Sequence, residues 1–447
     1  MTRLRVSVVR FARGLATVVA AGSLLLLGTV VVNGTVGASS ANRADPGGNA
    51  LLLQGKQVFR FSTFGDQAFW GDALQLHKAI EGSANGGVGP GVSPKTALAV
   101  GLKVDAAAIP PNVAGAIKAG KVDLNDPKTT LALLKLNAVV GVKASFNTKG
   151  TLSSMGITCA FCHSTVDNSF APGIGRRLDG WPNQDLDVGK IISLAPNLKP
   201  FTDLLNVDEA TVKKVLLSWG PGKFDAELAM DGKAFRPDGG SAASRIPPAF
   251  GLAGVNLATY TGWGSVTYWN AFVANLEMHG RGTFYDPRLD DAAQFPVAAK
   301  ARFGHVHSTP DLITAQLGAL HAYELSLAAP TPPKSYFNAA AAVRGQKIFD
   351  GKAHCSSCHV PPLYTEPGYN LHKPAETCSD PFLADRSPTR MYRTTPLRGM
   401  FAKSKRGFGA DGHIPTLPAV VDHYDGCFNL GLTPQEKSDL VQFLRSR

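Results

Sequence analysis

Two pentapeptides of the form Cys-x-x-Cys-His, Cys159-Ala-Phe-Cys162-His163 and Cys355-Ser-Ser-Cys358-His359, hold the residues best equipped for chemistry in this 447-residue chain. Two thiols about one helical turn apart can add to the two vinyl groups of a haem, and the adjacent imidazole then turns under the iron as its proximal ligand. Paired cysteines also bind structural zinc, but such sites draw on further paired ligands, and the sequence has no other Cys-x-x-Cys. The spacing therefore predicts two covalently bound haem c groups. Cys159, Cys162, Cys355 and Cys358 would be the attachment points, and His163 and His359 the iron ligands.

The start of the chain agrees with that chemistry. Arg3, Arg5, Arg10 and Arg13 form a positive segment without an acidic residue, followed by an almost unbroken apolar run from Leu15 to Val32 and small residues over 36–41. Residues 1–38 read as a signal peptide, or as an N-terminal anchor that would tie the protein to a membrane. The remainder is expected in the periplasm or another extracytoplasmic compartment, where haem attachment and disulfides are both chemically natural. Cys378 and Cys427 are left outside the motifs. In an exported chain such a pair is most simply a disulfide, with free thiols or a thiolate ligand as alternatives.

The length predicts two to three domains with room for real cores. A formal net charge of +11 makes the surface mildly basic, which suits an acidic redox partner or an anionic surface. No dense Lys/Arg stripe interleaved with aromatics is present, which argues against nucleic acid as a partner. The one local cluster, Lys403, Lys405 and Arg406, reads as a solvated loop.

An internal duplication shows which elements hold the motifs. Arg245-Ile-Pro-Pro248-Ala-Phe-Gly251 matches Arg393-Thr-Thr-Pro396-Leu-Arg-Gly399 at an offset of 148 residues. At that offset Trp269, Phe272, Val273 and Leu276 fall on Leu417, Val420, Val421 and Tyr424, with the spacing of the apolar face of a helix after a loop. In the second half Arg344-Gly345 to Phe349 opens a helix into the motif. Thr433-Pro434-Gln435-Glu436 is a capping box for a last helix bearing Leu440, Val441, Phe443 and Leu444. Gly55-Lys-Gln-Val58-Phe59 is a faint echo of Gly345 to Phe349. The expected fold is mainly α, with two tandem cytochrome c-like haem domains over 50–329 and 338–447. The first is enlarged by an insertion, and a Pro-rich linker at 330–337 joins them.

Over 338–447, Cys355-Ser-Ser-Cys358-His359-Val-Pro-Pro, Thr394-Thr-Pro-Leu-Arg-Gly399, Val420 to Tyr424 and Leu432-Thr-Pro-Gln-Glu436 together resemble a known family. They look like the electron-transfer domain of the bacterial dihaem cytochrome c peroxidase superfamily. That superfamily includes the tryptophan-tryptophylquinone-forming dihaem enzymes and, more distantly, dihaem rubber oxygenases. Over the first half the resemblance rests on Cys159 to His163 and the 245–276 repeat. It implies two mainly helical haem domains, with a haem reactive toward hydrogen peroxide or dioxygen in the first. The second would carry an electron-entry haem served by a small redox protein or cytochrome.

The resemblance places each sixth iron ligand in the loop before the helix at Leu417 or its counterpart. In the second half that loop, Phe408-Gly-Ala-Asp-Gly-His413, offers His413, with Met400 next. In the first half it is Tyr260-Thr-Gly-Trp263-Gly-Ser265, with neither Met nor His, which leaves an open iron or a Tyr260 phenolate. Peroxide cleavage needs a group that moves a proton between the two oxygens. His77, Gln184, Tyr260, Glu277 and His279 are the candidates, and Arg176 and Arg177 are candidates for binding haem propionates. The chain is thus expected to be an exported, cytochrome c peroxidase-like oxidoreductase, taking electrons at the C-terminal haem and reducing hydrogen peroxide at the N-terminal one. A non-enzymatic dihaem electron carrier and a haem-dependent oxygenase acting on an apolar substrate are the alternatives.

Overall fold

In the computed structural model, which describes residues 46–447, helices dominate and the strands form five two-stranded sheets among the described residues. The segment 1–38 read as a signal or anchor lies outside the described residues, and no described helix is long and apolar enough to cross a membrane. The helices that position the motifs are α1 (Pro46–Phe61), α2 (Ala160–His163), α3 (Val266–Phe272), α4 (Thr314–Ser326), α5 (Ala339–Asp350), α6 (Leu417–Phe428) and α7 (Pro434–Arg445). An antiparallel hairpin, β1 (Val142–Phe146) and β2 (Leu152–Ile157), leads straight into the first motif on α2. The capping box read at Thr433 is present, with both of its reciprocal hydrogen bonds, and starts α7.

Two glycines set the helix crossings that frame each half. A Cβ on Gly55 of α1 would lie 2.0 Å from the Ala319 carbonyl oxygen of α4, and one on Gly345 of α5 would lie 2.0 Å from that of Asp439 in α7. Only a residue without a side chain lets the backbones approach this closely. Just beyond each crossing the same aromatic packing recurs: Phe59 meets Tyr323 with centroids 5.6 Å apart, and Phe349 meets Phe443 at 4.8 Å. The Gly55 stretch is therefore the structural counterpart of the Gly345 stretch. Residues from Val58 to Tyr323 share one hydrophobic cluster, while Phe349 to Leu444 build another. A third gathers Trp263, Phe272 and Phe295.

The helical part of the repeat needs one correction. α3 starts after the N-cap Ser265 and α6 after the N-cap Thr416, so the loop between the conserved Arg position and the helix is three residues longer in the second half. Val266, Trp269, Asn270 and Val273 correspond to Leu417, Val420, Val421 and Tyr424, and both sets line the same cavity.

The two halves interlock through the repeated arginines. The Arg245 backbone N–H donates to Ala410 O at 2.8 Å, and its guanidinium donates to the carbonyls of Gly409 and Lys403. Reciprocally, the Arg393 N–H donates to Tyr260 O at 3.0 Å and its guanidinium to Leu257 O. The cluster read as a solvated loop belongs to this interface: Lys405 pairs with Asp185, Arg406 Nε donates to Gln184 O at 2.7 Å, and Lys403 is buried. Gln184, one of the acid–base candidates, donates from Nε2 to Ala402 O at 2.8 Å and so joins the same interface between the halves.

Cys378 and Cys427 form a disulfide, with Cα atoms 6.1 Å apart, that ties α6 to the loop before it across 49 residues. Replacing both with Ser is expected to lower stability by about 2–4 kcal/mol, because the cross-link restricts the unfolded chain. Denaturant midpoints of the oxidised protein and the double variant test this, and equal midpoints would refute it.

Candidate functional site

One cavity of about 750 Å³ has both motifs in its wall: Cys159 and His163 from the first, Cys355, Cys358 and His359 from the second. Of the motif cysteines and histidines, Cys162 alone is outside that wall, on the side of Glu277. None of the four motif cysteines is in a disulfide, and burial pushes the Cys162 thiol up to about 12 and that of Cys355 up to about 11.

Each histidine is oriented from behind. His163 Nδ1 donates to Pro247 O at 3.0 Å, and His359 Nδ1 donates to Tyr364 O at 3.1 Å, with the Thr395 backbone nearby. Pro247 and Thr395 are each two residues past the repeated arginine, so the duplication also supplies the support for the histidines. A carbonyl can only accept, so Nδ1 carries the proton and Nε2 is left unprotonated and able to bind a metal. Burial lowers both rings to about 4, which keeps them neutral and able to bind a metal at neutral pH.

The arrangement fits haem and not zinc. Tetrahedral zinc needs its ligand atoms drawn together, yet neither Cys159, Cys162 and His163 nor Cys355, Cys358 and His359 form such a group. Among the described residues the only close trio is Cys358, Glu366 and His372, in which His372 Nε2 is already bonded to Glu366 at 2.6 Å. A haem also needs compensation for its ionised propionates. Arg245 and Lys403 are buried in the cavity wall and Arg393 is half-buried there, and the side chains of all three are bonded to backbone carbonyls, with no carboxylate partner among the described residues. Burial pushes Arg393 down to about 10 and Lys403 down to about 7, the latter aided by repulsion from Arg245 and Arg393. Uncompensated buried cations of this kind are suited to an anionic ligand. Arg176 and Arg177, the arginines read from the sequence for this purpose, are not among the residues of that wall. Arg176 is exposed 3.4 Å from Asp167, and Arg177 lies 3.7 Å from Asp105, both away from the cavity wall.

The residues read as sixth ligands or acid–base groups are scattered. Tyr260, Met400 and His413 line the cavity. The ring of His413 folds over Gly409 of its own loop, where a Cβ would stand 2.8 Å from the imidazole, and its Nδ1 lies 2.5 Å from Asp411 Oδ1. Glu277 and His279 instead line a separate cavity of about 40 Å³ with Trp219 and Asp225, and His279 stacks on Phe69 at 3.6 Å. Burial drives Glu277 well above the usual carboxylate range and lowers His279 to about 4. His77 is buried beside Gly71 and reaches neither cavity.

Sequence reading missed one pair in the main cavity. Asn270 of α3 donates from Nδ2 to Glu324 Oε2 of α4 at 2.6 Å, and both line the wall with Cys159 and His163. Burial raises Glu324 to about 7, against the opposing pull of the Asn270 hydrogen bond. The signal lay in an apolar helix face interrupted by one acid, which becomes informative only once α4 is matched to α7.

No family model matches the chain, and no curated protein matches it. Among solved structures it is similar to Kuenenia stuttgartiensis hydrazine synthase pressurised with 20 bar xenon, at 18% identity and a TM-score of 0.28 over 48% of this chain and 76% of that one. It is also similar to a MauG-like protein associated with microbial copper homeostasis, at 16% identity and a TM-score of 0.30 over 49% of this chain and 76% of that one. Likenesses at these scores carry no argument about function.

Proposed function

We propose that the protein is an exported dihaem c-type cytochrome working as an oxidoreductase. Electrons from a small redox protein enter at the haem held by Cys355, Cys358 and His359, and hydrogen peroxide is reduced at the haem held by Cys159, Cys162 and His163. The observation that carries this reading is the shared cavity, with both motifs in one wall and each histidine held by Nδ1 so that Nε2 is free. Bound haem would supply a redox-active iron.

The chain's own part is to hold and orient. His163 and His359 are kept neutral, and Arg245, Arg393 and Lys403 would offset the propionate charge of a bound haem. The Tyr260 loop offers neither His nor Met, whereas the matching Phe408 loop carries His413, and Met278 and Met400 line the wall from the first and second halves. That asymmetry supports an accessible first site and a six-coordinate second one, as an enzyme needs and a simple carrier does not. Glu324 and Asn270 beside the first motif favour peroxide over an apolar substrate, which has no use for a buried acid. The mildly basic surface suits an acidic electron donor.

Electronic and paramagnetic resonance spectra of the purified holoprotein, oxidised and half-reduced and then treated with peroxide, test the reading. One high-spin and one low-spin haem are expected, with the high-spin signal lost on peroxide addition. His413→Ala should turn the second haem high-spin if His413 is its sixth ligand. Two low-spin haems inert to peroxide in both redox states would make the protein an electron carrier.

A further inference from the structure

The internal duplication allows the two ends of the cavity to be compared position by position. The Gly55 and Gly345 crossings align Ala319 and Tyr323 with Asp439 and Phe443, which places Glu324 where the second half has Leu444. The matched N-caps of α3 and α6 place Asn270 where the second half has Val421. All four residues line the cavity. The first motif therefore faces a hydrogen-bonded amide and carboxyl at the two positions where the second faces an apolar pair packed in its core. The fold evidently does not need an acid there, since its own second copy does without one. A buried carboxyl in place of leucine costs stability even when one hydrogen bond, here from Asn270, offsets part of its desolvation.

We infer that the Asn270–Glu324 pair is the proton-exchanging site of the first cavity: Glu324 takes up one proton from solvent as that site gains one electron, and releases it on reoxidation. The electron comes from the external donor through the second site. One electron and one proton arrive together, so the buried region keeps its net charge, and the carboxyl that has formed is a proton donor beside the reacting oxygen species. This rests on the dihaem reading and adds the residue that couples protons to it.

The surroundings leave Glu324 free for the role. From α1, Arg60 is held by Asp179 and Lys56 is partly exposed, while Tyr323 of α4 also donates to Asp179. From α3, Tyr268 is bonded to Asp286, and only Asn270 reaches the carboxyl. Asp66 is raised to about 9 by burial, so it stays protonated across the range in which Glu324 titrates, and burial also drives Glu277 well above the usual carboxylate range.

Mass measurement of the denatured holoprotein first establishes that two haems are covalently bound, and their absence would refute the dihaem reading itself. With both present, optical potentiometry follows each haem against pH. The first haem's potential should fall by up to ~59 mV per pH unit around neutrality, the value for one proton per electron, because loss of the proton at higher pH disfavours reduction. Glu324→Gln and Glu324→Leu should flatten that slope and leave the second haem unchanged. Asn270→Val, which removes the bond that lowers the carboxyl's affinity for a proton, should move the sloping window to higher pH. A pH-independent first potential in the wild-type protein, or a slope that survives Glu324→Gln, overturns the inference. If the Glu324 variants do not fold, the wild-type slope and the Asn270→Val shift decide it.

Discussion

Replacing Cys159 and Cys162 together with Ala is expected to remove one of two covalently held haems and abolish peroxide turnover. Replacing Cys355 and Cys358 should also remove one haem, but leave a first site that still binds peroxide and can no longer be fed by the donor. The thioether bonds are the only covalent hold these residues offer. Without them a haem would be held only by the histidine and by charge pairing with Arg393 and Lys403 in the cavity wall, contacts that end when the fold is lost. Mass spectrometry of the denatured variants and stopped-flow mixing with peroxide measure both effects. Turnover that persists in the Cys159/Cys162 variant would show that the reactive haem had been assigned to the wrong half.

Arg386→Met should cost about 3–5 kcal/mol, the penalty for leaving buried charges unpaired. Arg386 is almost fully buried, its Nε lies 2.8 Å from Asp231 Oδ2, and its Nη1 lies 3.0 Å from Asp225 Oδ1 without hydrogen-bond alignment. Glu227 completes a core of three acids around one cation that comes from the other half of the chain. Even with the guanidinium present, burial raises Asp225 to about 6 and Glu227 to about 7. For an acid whose folded value lies above its unfolded one, stability falls as pH rises from the unfolded value toward the folded one. Removing Arg386 raises the folded values further. The variant should therefore lose most at pH 8 and less near pH 5, where the acids can stay neutral. Denaturant midpoints at the two pH values read this directly, and a pH-independent loss would show that packing alone, without charge, accounts for the effect.

How much of this was legible in advance depends on how local each signal is. The motifs, the Arg245/Arg393 repeat, the Thr433 capping box and the cysteine pair all stand in the sequence, because covalent attachment, caps and turns depend on neighbours a few residues apart. The repeat was read without gaps, and the three-residue difference between the loops before α3 and α6 shifted its helical part, since apolar spacing tolerates more than one register. Lys403 looked like part of a solvated run and proved buried, because its exposure is set by the half of the molecule it packs against. Glu277, His279 and His77 carry suitable chemistry, but their backbone positions turn them away from the main cavity.

The sequence by itself determined which residues are the candidates to attach and ligate haem and which two cysteines are left over to pair, since those rest on short-range spacing and residue type. Only the tertiary structure decided that both motifs share one cavity, that the arginine of each half crosses to the other, and that Asn270 and Glu324 stand where the second half has Val421 and Leu444. Each of these joins groups far apart in the chain, and what brings them together is the close glycine-mediated helix crossings and the burial of charge between the halves.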